Sequence, residues 1–200
     1  MDPSKLDADT EVARHSTMLD MYKPGYFTDL VQALFGAHVD PIDVRRFQHG
    51  IDVLCLPGPG RLVYTTVGFG VCRPGTDYPP IEVLAICDRQ ADSVAPTLAD
   101  IGASHHGDDP LEPYHKLRFG DDDAPPNRFF LLDAGRFEHG WNVQRMIAVP
   151  VSADEYAAMD PRGELPEGEL PQVWSLLELP GSPEPLGDVP PALRSRWAGD

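Results

Sequence analysis

Val143-Gln-Arg-Met-Ile-Ala-Val-Pro150-Val-Ser152-Ala-Asp-Glu155 reads as a β-strand that runs straight into a helix. Val143 to Val149 is an apolar, strand-forming run. Ser152 and Glu155 have the S-x-x-E spacing of a capping box, in which each side chain accepts from the other residue's amide. The helix they open is short and carries Tyr156 and Met159. Pro150 has no amide hydrogen, so it must end the strand or sit on a sheet edge. Val149 and Val151 flank it, and one is expected to face the core and the other solvent.

Upstream, Arg128-Phe-Phe-Leu-Leu132 is a second strand, expected to pair with Val143 to Val149 across a glycine-flanked hairpin tip from Gly135 to Trp141. Ile81-Glu-Val-Leu-Ala-Ile-Cys87 is nearly continuous in apolar character, which places it centrally in a sheet. A helix follows from Ala91 to Ala103, capped by Asp88 or Asp92, with Val94, Leu98 and Ile101 on one face and Pro96 in its first turns. Ile51 to Leu56 and Arg61 to Val67 form a hairpin around a four-residue loop, Pro57-Gly58-Pro59-Gly60. Before them, Val12, Met18, Leu19 and Tyr22, then Tyr26, Phe27, Leu30, Val31, Leu34 and Phe35, recur at helical spacing. They predict two helices split near Pro24-Gly25, the second closed by Gly36. Short strands are expected at Tyr114 to Phe119 and Val173 to Leu179. The pattern is α+β: a mostly antiparallel sheet with helices packed on one face and a Pro-rich C-terminal arm. Residues 1–14 form a frayed N-terminus, 15–180 a single domain and 181–200 a Pro-rich tail.

The 16 basic and 32 acidic side chains give a net charge of −16, and 42% of residues are apolar. That content supports one globular core, and no apolar run approaches the roughly 18 residues of a membrane helix. The N-terminus has neither a basic nor an apolar export region, so the cytoplasm is the expected compartment. The acidic excess disfavours nucleic acid, whose phosphates it would repel, and favours a basic protein partner or serves solubility alone. Cys55, Cys72 and Cys87 stand among apolar neighbours with no metal or redox spacing and read as small buried hydrophobes.

Chemistry is sparsely marked. His105, His106, Asp109 and His115 form the one cluster readable as a metal site, but adjacent histidines diverge on any regular element, so a shared metal needs an irregular loop. A solvated helix end is the alternative reading. Gly-x-Ser-x-Gly is absent, Gly58-Pro59-Gly60 has proline where a phosphate loop needs amide donors, and Gly68-Phe69-Gly70 is followed by neither helix nor lysine. Catalytic residues, cofactors and a committed metal site are therefore not expected. Arg136, Glu138 and Trp141 at the hairpin tip are candidates for a partner contact, since arginine and tryptophan are enriched at interface centres. The acidic residues Asp108, Asp109 and Glu112, with Asp121, Asp122 and Asp123, are candidates for contact with a basic partner.

Leu62-Val-Tyr-Thr-Thr-Val-Gly68-Phe-Gly70, then Pro80-Ile-Glu82-Val-Leu-Ala-Ile-Cys87 before a helix, then Phe129-Phe-Leu-Leu132 followed by Met146-Ile-Ala-Val-Pro150-Val-Ser152-Ala-Asp-Glu155, resemble the suppressor of fused domain family. The motifs come in the same order: a T-x-G strand end, a strand carrying E-L/V, a helix, and a strand ending in proline before a capped helix. The resemblance covers roughly 15–180; the C-terminal arm departs in its proline content, and the second half of the animal proteins has no counterpart. The resemblance implies an α+β binding domain without catalysis. Animal members restrain a transcription factor, and bacterial members include immunity proteins and antitoxins that neutralise toxins. The expected function is protein binding of the immunity or antitoxin type; the alternatives are a small metal-dependent enzyme using His105, His106, Asp109 and His115, or a dimeric adaptor. The motif residues carry no catalytic role over: Gly68 and Gly70 suit a strand end, Glu155 a cap and Pro150 the end of a ladder.

Overall fold

A strand that is apolar at nearly every position must be covered on both faces, and residues 81–87, with Glu82 the one exception, have that character. The computed structural model describes residues 25–47, 51–68, 80–104, 111–119, 127–139, 142–159 and 194–197. The frayed N-terminus, the expected first helix, the last strand at Val173 to Leu179 and the Pro-rich arm apart from 194–197 lie outside these residues. Within them, helix α1 (25–35) precedes strands β1 (Asp43–Arg46), β2 (Asp52–Gly58), β3 (Arg61–Val67) and β4 (Ile81–Cys87). Helix α2 (Val94–Ser104), strands β5 (Lys116–Arg118), β6 (Arg128–Glu138) and β7 (Asn142–Pro150), helix α3 (Ala153–Ala158) and a 3-10 turn at Ser195–Trp197 complete the order. The strands form one seven-stranded sheet, β1-β2-β3-β4-β7-β6-β5, antiparallel except where β4 runs parallel to β7. None of the helices described is long and apolar enough to cross a membrane.

Every residue of β4 is buried, and β4 is the middle strand. Leu84 and Ile86 pack on one side with Leu54, Leu56, Ile147 and Val149, under Tyr26, Leu30, Val31 and Leu34 of α1. Ile81, Val83 and Ala85 pack on the other with Val53, Met146 and Ala148, under Val94, Leu98 and Ile101 of α2. The helices therefore divide between the two faces instead of sharing one, which corrects the single-faced arrangement expected above. The reason was already present in the strand: an apolar run with period one has no face to give to water. Cys55 and Cys87 are free and buried in the α2 layer, and burial pushes both thiols up, Cys87 to about 12. They are small core residues, as their neighbours implied.

Helix α1 ends as its sequence prescribes. Gly36 takes φ +66° and its amide donates to the Gln32 carbonyl at 2.7 Å. The β2–β3 loop is shorter than expected: Gly58 is paired with Arg61, leaving only Pro59 and Gly60 to turn, with Gly60 at φ +62°. Pro57 is tolerated inside β2 because β1 pairs with Asp52 to Cys55 only and asks no amide of residue 57.

The quoted strand–helix junction forms in full. Pro150 is the last residue of β7, opposite Phe129, and residues 129–132 pair with 147–150. The Ser152 hydroxyl accepts from the Glu155 amide at 3.2 Å, and the Glu155 carboxylate accepts from the Ser152 amide at 2.8 Å. Val149 and Val151 do not diverge; both are buried in the α1 layer. Residues two apart on an extended chain share a face, and the Val151 amide prolongs the ladder by donating to the Arg128 carbonyl.

The junction also receives residues from the segment expected to be a tail. Arg196 donates to both Glu155 carboxylate oxygens, at 2.9 and 2.7 Å, and to the Pro150 carbonyl. Trp197, 2% exposed, stacks on Phe129 with ring centres 5.4 Å apart and donates through Nε1 to the Ala148 carbonyl. Its large apolar area and satisfied N–H make it part of the core, so the packed unit reaches beyond 180.

Trp197→Ala is expected to cost about 3 to 5 kcal/mol, read as a lower urea midpoint. The Arg196 guanidinium, helped by the Ser152 amide, holds the Glu155 carboxyl at about 2 from an ordinary 4.5. A pKa depressed in the folded state contributes stability that is complete above about 4.5 and is lost as pH falls towards about 2. Arg196→Met should therefore flatten the fall in unfolding free energy across that window; an unchanged acid limb would show that the ion pair is not its source.

Candidate interaction surface

A carboxylate in a central strand needs donors, and Glu82 finds three of them. It is fully buried, accepts from the Tyr26 hydroxyl of α1 at 2.7 Å, from the Thr66 hydroxyl of β3, and from the Gly68 amide at 3.0 Å. Gly68 reaches it at φ +130°, a conformation open to glycine and strained for other residues. The Thr66 hydroxyl also accepts from the Val83 amide. Across the parallel seam, Glu82 lies opposite Arg145, which is equally buried and donates to the Ala33 carbonyl of α1 at 2.8 Å. Thr66 and Gly68 of one sequence motif and Glu82 of the next thus meet at one carboxyl group. Through Tyr26 and Ala33 the network fixes α1 on the sheet.

The second rigid wall is the β6–β7 hairpin. Between Asp133 and Arg136 the register shifts by one residue, a β-bulge. Gly135 takes φ +75° there, its amide donating to Asp133 Oδ1 at 2.7 Å. The buried Gln144 binds the bulge together: its amide nitrogen donates to Asp133 and to the Gly135 carbonyl, and its oxygen accepts from Arg136 Nε at 2.9 Å. Arg136 is thereby aimed by a buried side chain that Asp133 and Gly135 hold in turn. A bulge also exchanges the faces of the strand, so Ala134 and Phe137, an odd number of residues apart, both enter the α1 layer.

Between these walls lies an open cleft of about 670 Å³, lined by Asp29, Gln32, Ala33 and Gly36 of the α1 side and by Arg136, Phe137, Glu138 and Asn142 of the hairpin. His139 ties the two sides, its Nδ1 2.6 Å from Asp29 Oδ2 and its ring edge-on to Tyr26. Its lining carries two carboxylates, Asp29 from α1 and Glu138 from the hairpin, against one guanidinium, and the C-terminal end of α1 adds the negative pole of its dipole. The cleft therefore has an overall preference for positive charge.

The structure brings together Arg136 and Glu138 of the contact residues expected from sequence. Both stand in β6 and not on a free tip, because the strand continues through the bulge to Glu138. Glu112 is not among the cleft residues; it belongs to the turn before β5, where its amide donates to His115 Nδ1 and its carboxylate lies 3.7 Å from Nε2. Asp108, Asp109, Asp121, Asp122, Asp123, Trp141, His105 and His106 lie outside the described residues. Among the residues described, no three His, Cys, Asp or Glu side chains are grouped as metal ligands. Sequence reasoning missed Asp29, Gln32 and Asn142, which look like any polar residues of an exposed face. The exceptional charges Glu82 and Arg145 in otherwise apolar strands were the visible sign of the network behind them.

Glu82→Gln is expected to destabilise the fold by about 3 to 5 kcal/mol, because it replaces a fully buried charged acceptor shared by three donors. Glu138→Gln, on the rim, should change stability by less than about 0.5 kcal/mol. Equal effects in urea titrations would show that Glu82 does not organise the site.

No protein-family model matches this chain, and no curated protein matches it.

Proposed function

We propose that this chain is a non-catalytic protein-binding domain, an immunity or antitoxin protein of the suppressor of fused type that acts in the cytoplasm by covering a basic toxin. The observation that carries the reading is the cleft between α1 and the β6–β7 hairpin, where Arg136, Glu138 and Asp29 stand on braced elements and serve no core. Preorganised charged side chains on rigid walls are what a protein contact needs, since little ordering entropy remains to be lost on binding. The excess of 32 acidic over 16 basic residues supports a basic partner, attracted over distance before contact. The acidic runs at Asp108–Asp109 and Asp121–Asp123 extend that field. The meeting of Thr66, Gly68 and Glu82 gives the motifs of the family resemblance a common structural purpose.

The test uses the product of the reading frame adjacent to this one in its native genome, with association followed at low and high salt. Binding should be fast at low salt and slow as salt rises. The triple variant Asp121→Lys, Asp122→Lys, Asp123→Lys should slow association about tenfold at low salt, and Glu138→Lys should speed dissociation. A toxic neighbour that this chain neither binds nor neutralises would sink the proposal, while binding unaffected by these variants would move the interface elsewhere.

A further inference from the structure

Strand β1 is one edge of the sheet; among the described residues it pairs with β2 and nothing else. The Phe47 amide donates to the Ile51 carbonyl at 2.7 Å, and the register runs unbroken from Arg46 opposite Asp52 to Asp43 opposite Cys55. Ladder bonds alternate along an antiparallel strand, so Asp43 and Arg45 share the inward direction of Phe47 and spend their backbone groups on β2. Val44 and Arg46 turn theirs outward. Ile42, whose amide donates back to Cys55, and Val44 are 56% and 54% exposed. They are two of the three exposed large apolar side chains among the described residues, the third being Tyr114. A bare strand edge beside two exposed β-branched side chains is a template for another strand.

The chemistry of β1 selects its own copy as that strand. Two copies can pair antiparallel in three registers that set outward backbone groups against each other. With Arg46 opposite Arg46, or with Val44 opposite Arg46 and hence Arg45 opposite Arg45, like charges face each other directly, which is destabilising. With Val44 opposite Val44, each Asp43 faces the Arg45 of the second copy, and the two valines meet beside the Ile42 side chains. Asp43 and Arg45 are each about one-third exposed, 31% and 34%; Arg45 meets Asp43 at 2.9 Å and Asp92 at 2.7 Å, so the Asp43 of a second copy would approach a guanidinium already held in place. This register alone places opposite charges and apolar groups in contact.

We propose that two copies of this chain associate through β1, antiparallel about a two-fold axis at Val44, joining two seven-stranded sheets into one. The seam is short, with the Val44 pair exchanging two backbone hydrogen bonds, so the dimer forms and dissociates with concentration. It leaves the α1–hairpin cleft open on each copy and does not depend on the function proposed above.

Sedimentation velocity of the full chain across a wide concentration range should show a reversible monomer–dimer equilibrium. Val44→Pro removes an outward amide while sparing the bonds to β2, and should raise the dimer dissociation constant by about tenfold or more. Asp43→Arg should weaken the dimer by placing arginine against arginine, and adding Arg45→Asp together with Asp92→Asn, which removes the carboxylate that Arg45 now binds at 2.7 Å, should restore it, a rescue that a merely structural role would not give. Amide exchange at Val44 should slow only as the dimer fills. A chain that is monomeric at every concentration would overturn the proposal. A dimer indifferent to both Val44→Pro and Asp43→Arg would do the same by placing the interface elsewhere, and a Val44 amide already protected in the monomer would show that another part of the chain covers the edge.

Discussion

Burying Glu82 is tolerable only because the fold surrounds it with donors, and the positions of those donors specify much of the rest. Tyr26 reaches it from α1, Thr66 from β3 and Gly68 from just beyond it, and Arg145 lies opposite on β7. A shift of any of these elements by one residue would strand a buried polar group, at a cost comparable with a large part of a domain's whole stability. Apolar contacts around them tolerate small slips; hydrogen bonds to a carboxylate do not. The polar network therefore selects one register for the parallel seam and one seat for α1, while the apolar layers on both faces supply the bulk of the driving force.

The parts legible in the sequence were those where local chemistry and tertiary placement agree. The strands at 61–67 and 81–87, the helix end at Gly36 and the capping box at Ser152 all follow from short-range rules, and each is found where those rules put it. The parts that were not legible involve cancellation. Asp43-Val-Arg-Arg46 has too few apolar residues to announce a strand, because an edge strand packs little. Beyond Leu132 the bulge at Asp133–Arg136 breaks the period of two, so the sequence reads as ending β6 six residues short of Glu138. The division of helices between faces was implied by β4 but needed all of the sheet to be read together.

The candidate surface was half legible for a similar reason. Arg136 and Glu138 stand out in sequence because glycines bracket them, whereas Asp29 and Gln32 belong to the exposed side of an amphipathic helix and carry no mark. What converts them into one site is the network beneath, since Arg145 holds the Ala33 carbonyl directly behind the cleft and Tyr26 supports His139. Surface chemistry here is a consequence of core polarity. A substitution far from solvent can thus reshape the cleft without touching a residue that lines it.

The parallel pairing of β4 with β7 has a kinetic consequence. Hairpins β2–β3 and β6–β7 join neighbouring segments and can form early, each by closing a short loop. The seam between them joins strands separated by α2, β5 and β6, and its entropic cost falls due before Glu82 and Arg145 can meet. Folding is thereby divided into two local units and one long-range encounter, with the buried charges locked in at the encounter. Until that moment each half exposes a strand edge lined with apolar side chains, so the interval before the seam closes is when this chain is most open to mispairing.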